Sequence, residues 1–474
     1  MRARLCMLSN DELYQIHLAS LDILERTGMV MGSDIGLKLM KEAGAEVDEK
    51  SRLVKIPSSL VKWAIKSAPE RILLCGRNPK NDIKLEDGRV YFGMGSTTLK
   101  FMDVGGKRYP ARKEFIEKAV RVGDALPNIK FMEQFCCALD YKGPAQSLHE
   151  IEAVLTNTEK PTVGIAYSPE ETRAAIKIAS LIVGGMDELR RRPILALYSE
   201  PVSPLQHDKA YVENLIEFAK AGLPVTYGPC MNAGSTGPIT VAGTLACSNA
   251  ETLSGLVISQ LVNKGTPYII GNISTAFDQR TGIMAYGAPE FGLINAGQAA
   301  SAQYYKIPFF GTGGTTDAKE IDGQALAECS LTALMAVLSG TNLIHDCGYL
   351  ESGMTASIEM LVVCDEVADM CFRLARGMEV SDETLATDVI NKVGPGGHFL
   401  AEKHSLKHID EVWIPTLMDR NRMDQWVASG SKDLVDRARE KAKKILKEHQ
   451  PEPIPPDIQR EIDKILKEVE RGNF

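Results

Sequence analysis

The sequence predicts a (β/α)8 TIM barrel, of class α/β, with a helical extension at each end, and two observations carry that prediction. Eight short β-type runs, Val90–Gly93, Lys130–Phe135, Pro161–Ala166, Pro193–Tyr198, Pro224–Gly228, Pro267–Gly271, Pro308–Gly311 and Asn342–His345, start 31 to 43 residues apart. That interval holds a strand, a crossover helix and their loops, and eight such units close a barrel. Five of the runs also open on proline, which is tolerated at the first residue of a strand and excluded from a buried interior.

The intervals read as helices. The clearest starts at Ser168-Pro169-Glu170-Glu171, where Ser caps, Pro suits the first turn and Glu completes a capping box, and it stops at Gly184-Gly185. Pro289–Tyr305 follows strand six, and Asp322–Leu338 follows strand seven with Ala325, Leu326, Leu331, Leu334 and Met335 at helical spacing. Residues 1–88 fall outside this rhythm and form an N-terminal extension, with a helix capped by Asn10 (Leu13, Ile16, Leu21, Leu24) and a shorter one over Ser58–Ile65. The barrel is assigned to 89–380, ending in the helical run Thr355–Leu374, and a C-terminal helical extension to 381–474. In that extension a charged helix, Lys432–Glu448, and a proline-rich spacer precede an amphipathic helix with Ile458, Ile462, Ile465 and Val469 on one side. Such a face docks on the barrel or on a second subunit, and a homo-oligomer is the expected state.

Composition excludes several classes of function. With 44% apolar and 24% charged residues the chain is an ordinary globular protein. A formal net charge of −8, with no long basic run outside the tail, argues against nucleic acid. The start, MRARLCMLSNDELYQIH, lacks an apolar core, and no stretch approaches the roughly 18 apolar residues of a membrane span, so no membrane association and a cytoplasmic location are expected. The ten cysteines form no disulfide framework, and Cys75, Cys247, Cys364 and Cys371 sit in apolar runs, as reduced buried thiols do.

Barrel enzymes place their chemistry at the C-terminal ends of the strands. Read there, the mouth is glycine-rich, aromatic-rimmed and poor in acid–base groups, and Gly95, Cys137, Asn232, Gly314 and His345 are expected around one cavity. His345-Asp346 is the most functional pair: a histidine ending an apolar strand either holds an anionic group or moves a proton, or is a buried residue satisfied by backbone. Gly313-Gly314 suits a phosphate site or simply the close approach of a large ligand. The aromatics Phe92, Tyr198, Tyr227, Phe277, Tyr286, Phe310 and Tyr349 can line a cage for a quaternary ammonium through cation–π attraction. Cys136, Cys137, Cys230 and Cys347 with His345 offer a zinc set, although no C-x-x-C, H-x-H or H-E-x-x-H spacing supports it.

From Ser199 to Trp426 a series of stretches occurs in order: Ser199-Glu-Pro-Val-Ser-Pro-Leu205, Gly234-Ser-Thr-Gly-Pro-Ile-Thr-Val-Ala-Gly-Thr244, Asn249-Ala-Glu-Thr252, Gln279-Arg-Thr-Gly282, Gly287-Ala-Pro-Glu290, Gly313-Gly-Thr-Thr-Asp-Ala-Lys319, Asp322-Gly-Gln324, Leu350-Glu-Ser-Gly353 and Gly394-Pro-Gly-Gly-His-Phe-Leu400. In these the chain resembles the corrinoid-dependent trimethylamine methyltransferase family. Members that demethylate trimethylamine carry an in-frame pyrrolysine, whereas this chain is written throughout in the standard twenty residues. It is therefore similar to the non-pyrrolysine branch, which includes glycine betaine and related quaternary amine methyltransferases.

That resemblance implies methyl transfer from a quaternary amine, glycine betaine first, then proline betaine, carnitine or γ-butyrobetaine, to a Co(I) corrinoid. A quaternary ammonium already holds a neutral leaving amine, so the protein need only position and desolvate its two partners. No D-x-H-x-x-G motif surrounds any of the eight histidines, so the corrinoid (cobalamin) is expected on a separate small corrinoid protein, with none tightly bound here and no metal of the chain's own. The implied substrate-binding residues are His345 and Arg280, on a donor carboxylate, with Phe92, Tyr227, Phe277, Phe310 and Tyr349 around the ammonium; Gly95, Asn232, Gly313, Gly314 and Asp346 are expected to face the corrinoid. Alternatives are a zinc-thiolate methyltransferase or hydrolase using the cysteines, and a non-catalytic barrel that binds a quaternary amine.

Overall fold

The computed structural model describes residues 3–141 and 143–472. Eight parallel strands, β1 (Tyr91–Met94), β2 (Ile129–Phe131), β3 (Thr162–Gly164), β4 (Leu195–Ser199), β5 (Val225–Tyr227), β6 (Tyr268–Gly271), β7 (Phe309–Thr312) and β8 (Leu343–Cys347), are hydrogen-bonded in the order β3-β4-β5-β6-β7-β8-β1-β2. A parallel bridge between Met132 and Thr162 joins the two ends and closes the barrel. Each strand falls on one of the predicted runs. The prolines explain the agreement: Pro161, Pro224, Pro267 and Pro308 each accept a bond from the neighbouring strand through their carbonyl (Met132, Leu197, Val225 and Ile270 donate, at 2.8–3.1 Å). Their missing N–H stays outside the ladder.

The crossover helices are α1 (Lys113–Ala125), α2 (Gln146–Thr156), α3 (Pro169–Val183), α4 (Lys209–Ala221), α5 (Val241–Val262), α6 (Pro289–Tyr305), α7 (Gly323–Ser339) and α8 (Ile358–Arg376). Helix α3 begins and ends as its sequence predicts, with the Ser168 hydroxyl accepting from the Glu171 N–H and Gly184 left-handed at φ +94°. Two boundaries differ from expectation. Ser9, not Asn10, caps the first helix, Asn10–Asp22, through a reciprocal capping box with Glu12. Helix α8 starts three residues late because Thr355–Ser357 pair with Lys100–Met102 as a strand.

The N-terminal extension clads the barrel. Helices Asn10–Asp22 and Ser58–Ser67 cover α5, which is why every residue of α5 from Thr244 to Gln260 is buried. The hairpin Ile72–Leu74/Ile83–Leu85 inserts its apolar side chains among Phe131, Val163, Ile269 and Leu343 and plugs the N-terminal end of the barrel. At the other terminus, Leu434–Glu448 packs on α8 and α1, and Pro456–Glu470 lays Ile462, Ile465, Leu466 and Val469 against α3 and α2. The predicted amphipathic tail thus docks on its own barrel. No helix among the described residues is long and apolar enough to cross a membrane. All ten cysteines are free thiols, and Cys75, Cys247, Cys364 and Cys371 are buried.

Candidate active site

Strand alternation fixes what faces the barrel interior, and β8 breaks it at one point. Leu343 packs inside the barrel while Ile344 and Cys347 pack against the helices, so His345 points inward. By alternation Asp346 would point outward. The register against β1 slips between Ile344 and Cys347, and Asp346 adopts φ +74°, a conformation that costs an L-residue about 1–2 kcal/mol. The bulge returns the Asp346 side chain to the same cavity as His345.

That cavity, of about 230 Å3, lies at the C-terminal ends of the strands. It falls below the roughly 300–1,000 Å3 typical of sites for drug-sized ligands and suits a molecule of few heavy atoms. Five tyrosines wall it: Tyr167 after β3, Tyr198 in β4, Tyr211 in α4, Tyr286 before α6 and Tyr349 after β8. Glu200, Asp346 and His345 supply its charge, and among the described residues no Lys or Arg lines it.

The mouth is therefore not poor in acid–base groups, contrary to the sequence expectation. Glu133, wholly buried two residues past β2, places a carboxylate oxygen 3.6 Å from His345 Nδ1, and Asp346 places one at 3.0 Å. Burial disfavours the His345 imidazolium, but these two carboxylates outweigh it and push its pKa up to about 10. Burial also pushes the Glu133 carboxyl up to about 7 despite the imidazolium beside it, and neither of its oxygens has a hydrogen-bond partner among the described residues. Glu200 is raised by burial as well, although the Tyr198 hydroxyl donates to it at 2.7 Å. The remaining histidine nitrogen, Nε2, is 2.8 Å from Thr312 Oγ1, and the Phe310 ring lies 4.2 Å from the imidazole. His345 is thus a buried ion-paired residue at the edge of the cavity, a role that neither sequence reading of it described.

The rim is held by one carboxylate. Asp317 accepts from the N–H of Tyr286 (2.8 Å), the N–H of Gly287 (3.0 Å) and the Ser352 hydroxyl (2.7 Å), tying together the loops after β6, β7 and β8. Glu251 acts similarly behind β4, accepting from Ser203 Oγ (2.7 Å) and the Leu205 N–H (2.6 Å). Two of the sequence stretches thereby interlock.

Of the predicted substrate-binding residues, His345 and Tyr349 line the cavity, and Phe310 supports it from beneath His345 and Tyr198. Tyr227 faces the helix layer with its hydroxyl 2.6 Å from His207 Nδ1, and Phe92 packs edge-on to Phe372 of α8. Phe277 is half-buried in the hairpin Thr275–Asp278/Ile283–Ala285, and Arg280 at its turn is 90% exposed and paired with Asp278. Of the residues expected to face a corrinoid, Asp346 lines the cavity, and Gly95 makes room for it: a Cβ there would overlap the Tyr349 ring. Gly313 abuts α7, the Gly314 N–H donates to Thr332 in that helix, and Asn232 pairs with Thr275 outside the cavity. Cys137 reaches the site only through Tyr167, 3.8 Å away. Among the described residues the cysteines and His345 do not converge to ligating distance, so the zinc-thiolate alternative lacks its ligand set.

A family model described as trimethylamine methyltransferase (MTTB) matches residues 2–471. The trimethylamine methyltransferase of Desulfitobacterium hafniense (strain DSM 10664 / DCB-2) is 38% identical over 463 residues, covering 98% of this chain and 93% of that protein. The glycine betaine methyltransferase of Desulfitobacterium hafniense (strain Y51) is 31% identical over 469 residues, covering 98% and 97%. The crystal structure of the Methanosarcina barkeri monomethylamine methyltransferase shares the fold, with a TM-score of 0.51 at 14% identity over 94% of this chain and 95% of that one. With its barrel, its mouth cavity and a match along nearly its whole length, the chain belongs to the trimethylamine methyltransferase family and is a methyltransferase.

Proposed function

We propose that the chain moves a methyl group from a quaternary ammonium donor to the Co(I) corrinoid of a separate small corrinoid protein. The observation that carries this reading is the cavity itself: five tyrosine rings and two carboxylates, with no Lys or Arg among the described residues that line it, form a box for a small cation. Rings attract the ammonium by their faces, and burial keeps the Tyr198, Tyr286 and Tyr349 hydroxyls protonated and neutral. The acceptor supplies the electron pair of the new bond to carbon, and the C–N pair departs with the neutral tertiary amine. The chain's part is to hold the donor methyl in line and keep water out. Because the ammonium charge vanishes in the transition state, a site that only gripped the cation would slow the step. His345, kept cationic by Glu133 and Asp346, offsets part of the carboxylate charge and limits that grip.

The same lining selects among donors. Glycine betaine, proline betaine, carnitine and γ-butyrobetaine all carry a carboxylate, yet Arg280 is committed to Asp278 at the rim and His345 to Glu133, Asp346 and Thr312. The cavity suits a donor whose remainder is uncharged, such as choline or tetramethylammonium. The test is conversion of a supplied Co(I) corrinoid protein to its methylated form with a panel of amines. Turnover of carboxylate-free quaternary amines above glycine betaine is expected. Faster turnover of glycine betaine overturns the donor assignment, and no transfer from any quaternary amine overturns the function. Exposed Val380, Leu400, Ile414 and Met423 support self-association, and the free buried thiols support a cytoplasmic location.

A further inference from the structure

After α8 the chain runs through short helices, Asp382–Leu385, Thr387–Val393, Lys403–Lys407 and Met423–Ala428, none of which has a buried residue. A segment without a core of its own needs other fastenings. Its second half has them: the Glu366 carboxylate of α8 accepts from the N–H groups of Thr416, Leu417 and Met418, and Trp413 Nε1 donates to Asp369. The first half is gathered around Glu383. His404 Nε2 lies 3.0 Å from the Glu383 carbonyl oxygen, and His408 Nε2 and Lys407 Nζ lie 3.1 and 2.7 Å from its carboxylate.

We propose that Glu383, His404 and His408 form a structural site for a zinc-class divalent cation that fastens this segment. One candidate ligand atom from each of the three lies within 4.8 Å of the others, the only such group of His, Cys, Asp and Glu among the described residues. The His408 N–H donates to the His404 carbonyl at 3.0 Å, so the two imidazoles rise from one helical turn on the same side, with ring centroids 4.4 Å apart. His-x3-His with a carboxylate from a second element is a donor set that Zn2+ accepts in tetrahedral geometry, with water as the fourth ligand. The ion would bridge Asp382–Leu385 to Lys403–Lys407 and His408, where Lys407 and His404 already reach Glu383. It would also displace the Lys407 ammonium from Glu383. The site is separate from the mouth cavity, so its loss is not a loss of the donor site.

The test uses the full chain, stripped with chelator and titrated with Zn2+ or Co2+. One ion per chain is expected, with H404A and H408A each weakening it about 10–100-fold or more, since even removing an outer hydrogen-bond partner of a ligand costs that much. K407M should bind more tightly, because the competing ammonium is gone. Bound Co2+ should show the ligand-field bands of a tetrahedral nitrogen–oxygen site without thiolate charge transfer, and Zn2+ should slow proteolysis within residues 381–408 in the wild type but not in H404A. Absence of stoichiometric binding, binding by H404A or H408A as tight as by the wild type, a thiolate band, or weaker binding by K407M would each overturn the proposal.

Discussion

At Glu133 a carboxyl that burial pushes up to about 7 stands beside an imidazolium and two residues past β2. Below that pH it is protonated and neutral; above it, the site gains a negative charge. Binding of tetramethylammonium, which does not itself titrate, should therefore tighten as pH rises from 6 to 8, by up to about tenfold, and E133Q should flatten the profile. Calorimetry across that range checks it, and an affinity that falls with pH contradicts the assignment. His345 answers to the same cluster. H345A leaves two carboxylates buried without their cation and should cost about 3–5 kcal/mol in a denaturant titration, while adding E133Q should recover part of the loss. The sequence offered a signal for Glu133, a carboxylate between Phe131-Met132 and Phe135 in the β-type run Lys130–Phe135, but the run reads as strand and hides it. Arg280, implied only by the family resemblance, lies on the turn of a hairpin that the sequence does not announce, exposed and paired with Asp278.

Among the elements, the loops after β6, β7 and β8 are joined at Asp317, so its effect should be on positioning. D317N should lower kcat/KM about ten- to hundredfold, the loss of about 1.5–3 kcal/mol of charge-assisted hydrogen bonding, with an intact far-ultraviolet spectrum. Unchanged kinetics would mean that Tyr286 is held by other contacts. In the C-terminal helix Pro456–Glu470, I465A should cost about 2–5 kcal/mol, because that side chain is 3% exposed against α3 and α2. A loss within about 0.5 kcal/mol, the scale of surface substitutions, would show that the helix does not dock. Strands and helices were legible because proline, capping serine and terminal glycine each act through one or two residues, as at Ser168 and Gly184. The β8 bulge was not legible: nothing in Leu343–Cys347 announces a register slip that depends on β1, far off in the chain.

For the whole molecule, the repeat of strand and helix was enough to place the cavity, because any closed parallel barrel puts its site at the strand C-termini. The chemistry inside was less legible. Which aromatics enter depends on the pleat: Tyr198 and Tyr349 face the cavity, while Tyr227 and Phe92 face the helices. The mouth also looked poor in acid–base groups because Glu133 and Glu200 lie beside apolar runs instead of forming a motif. The most direct test of the central claim is methylation of a Co(I) corrinoid protein by the purified chain, followed spectrally with choline, tetramethylammonium, glycine betaine and trimethylamine as donors. Methyl transfer from the quaternary amines is expected, fastest where no carboxylate accompanies the ammonium. Transfer from trimethylamine alone, or from no amine at all, would contradict it.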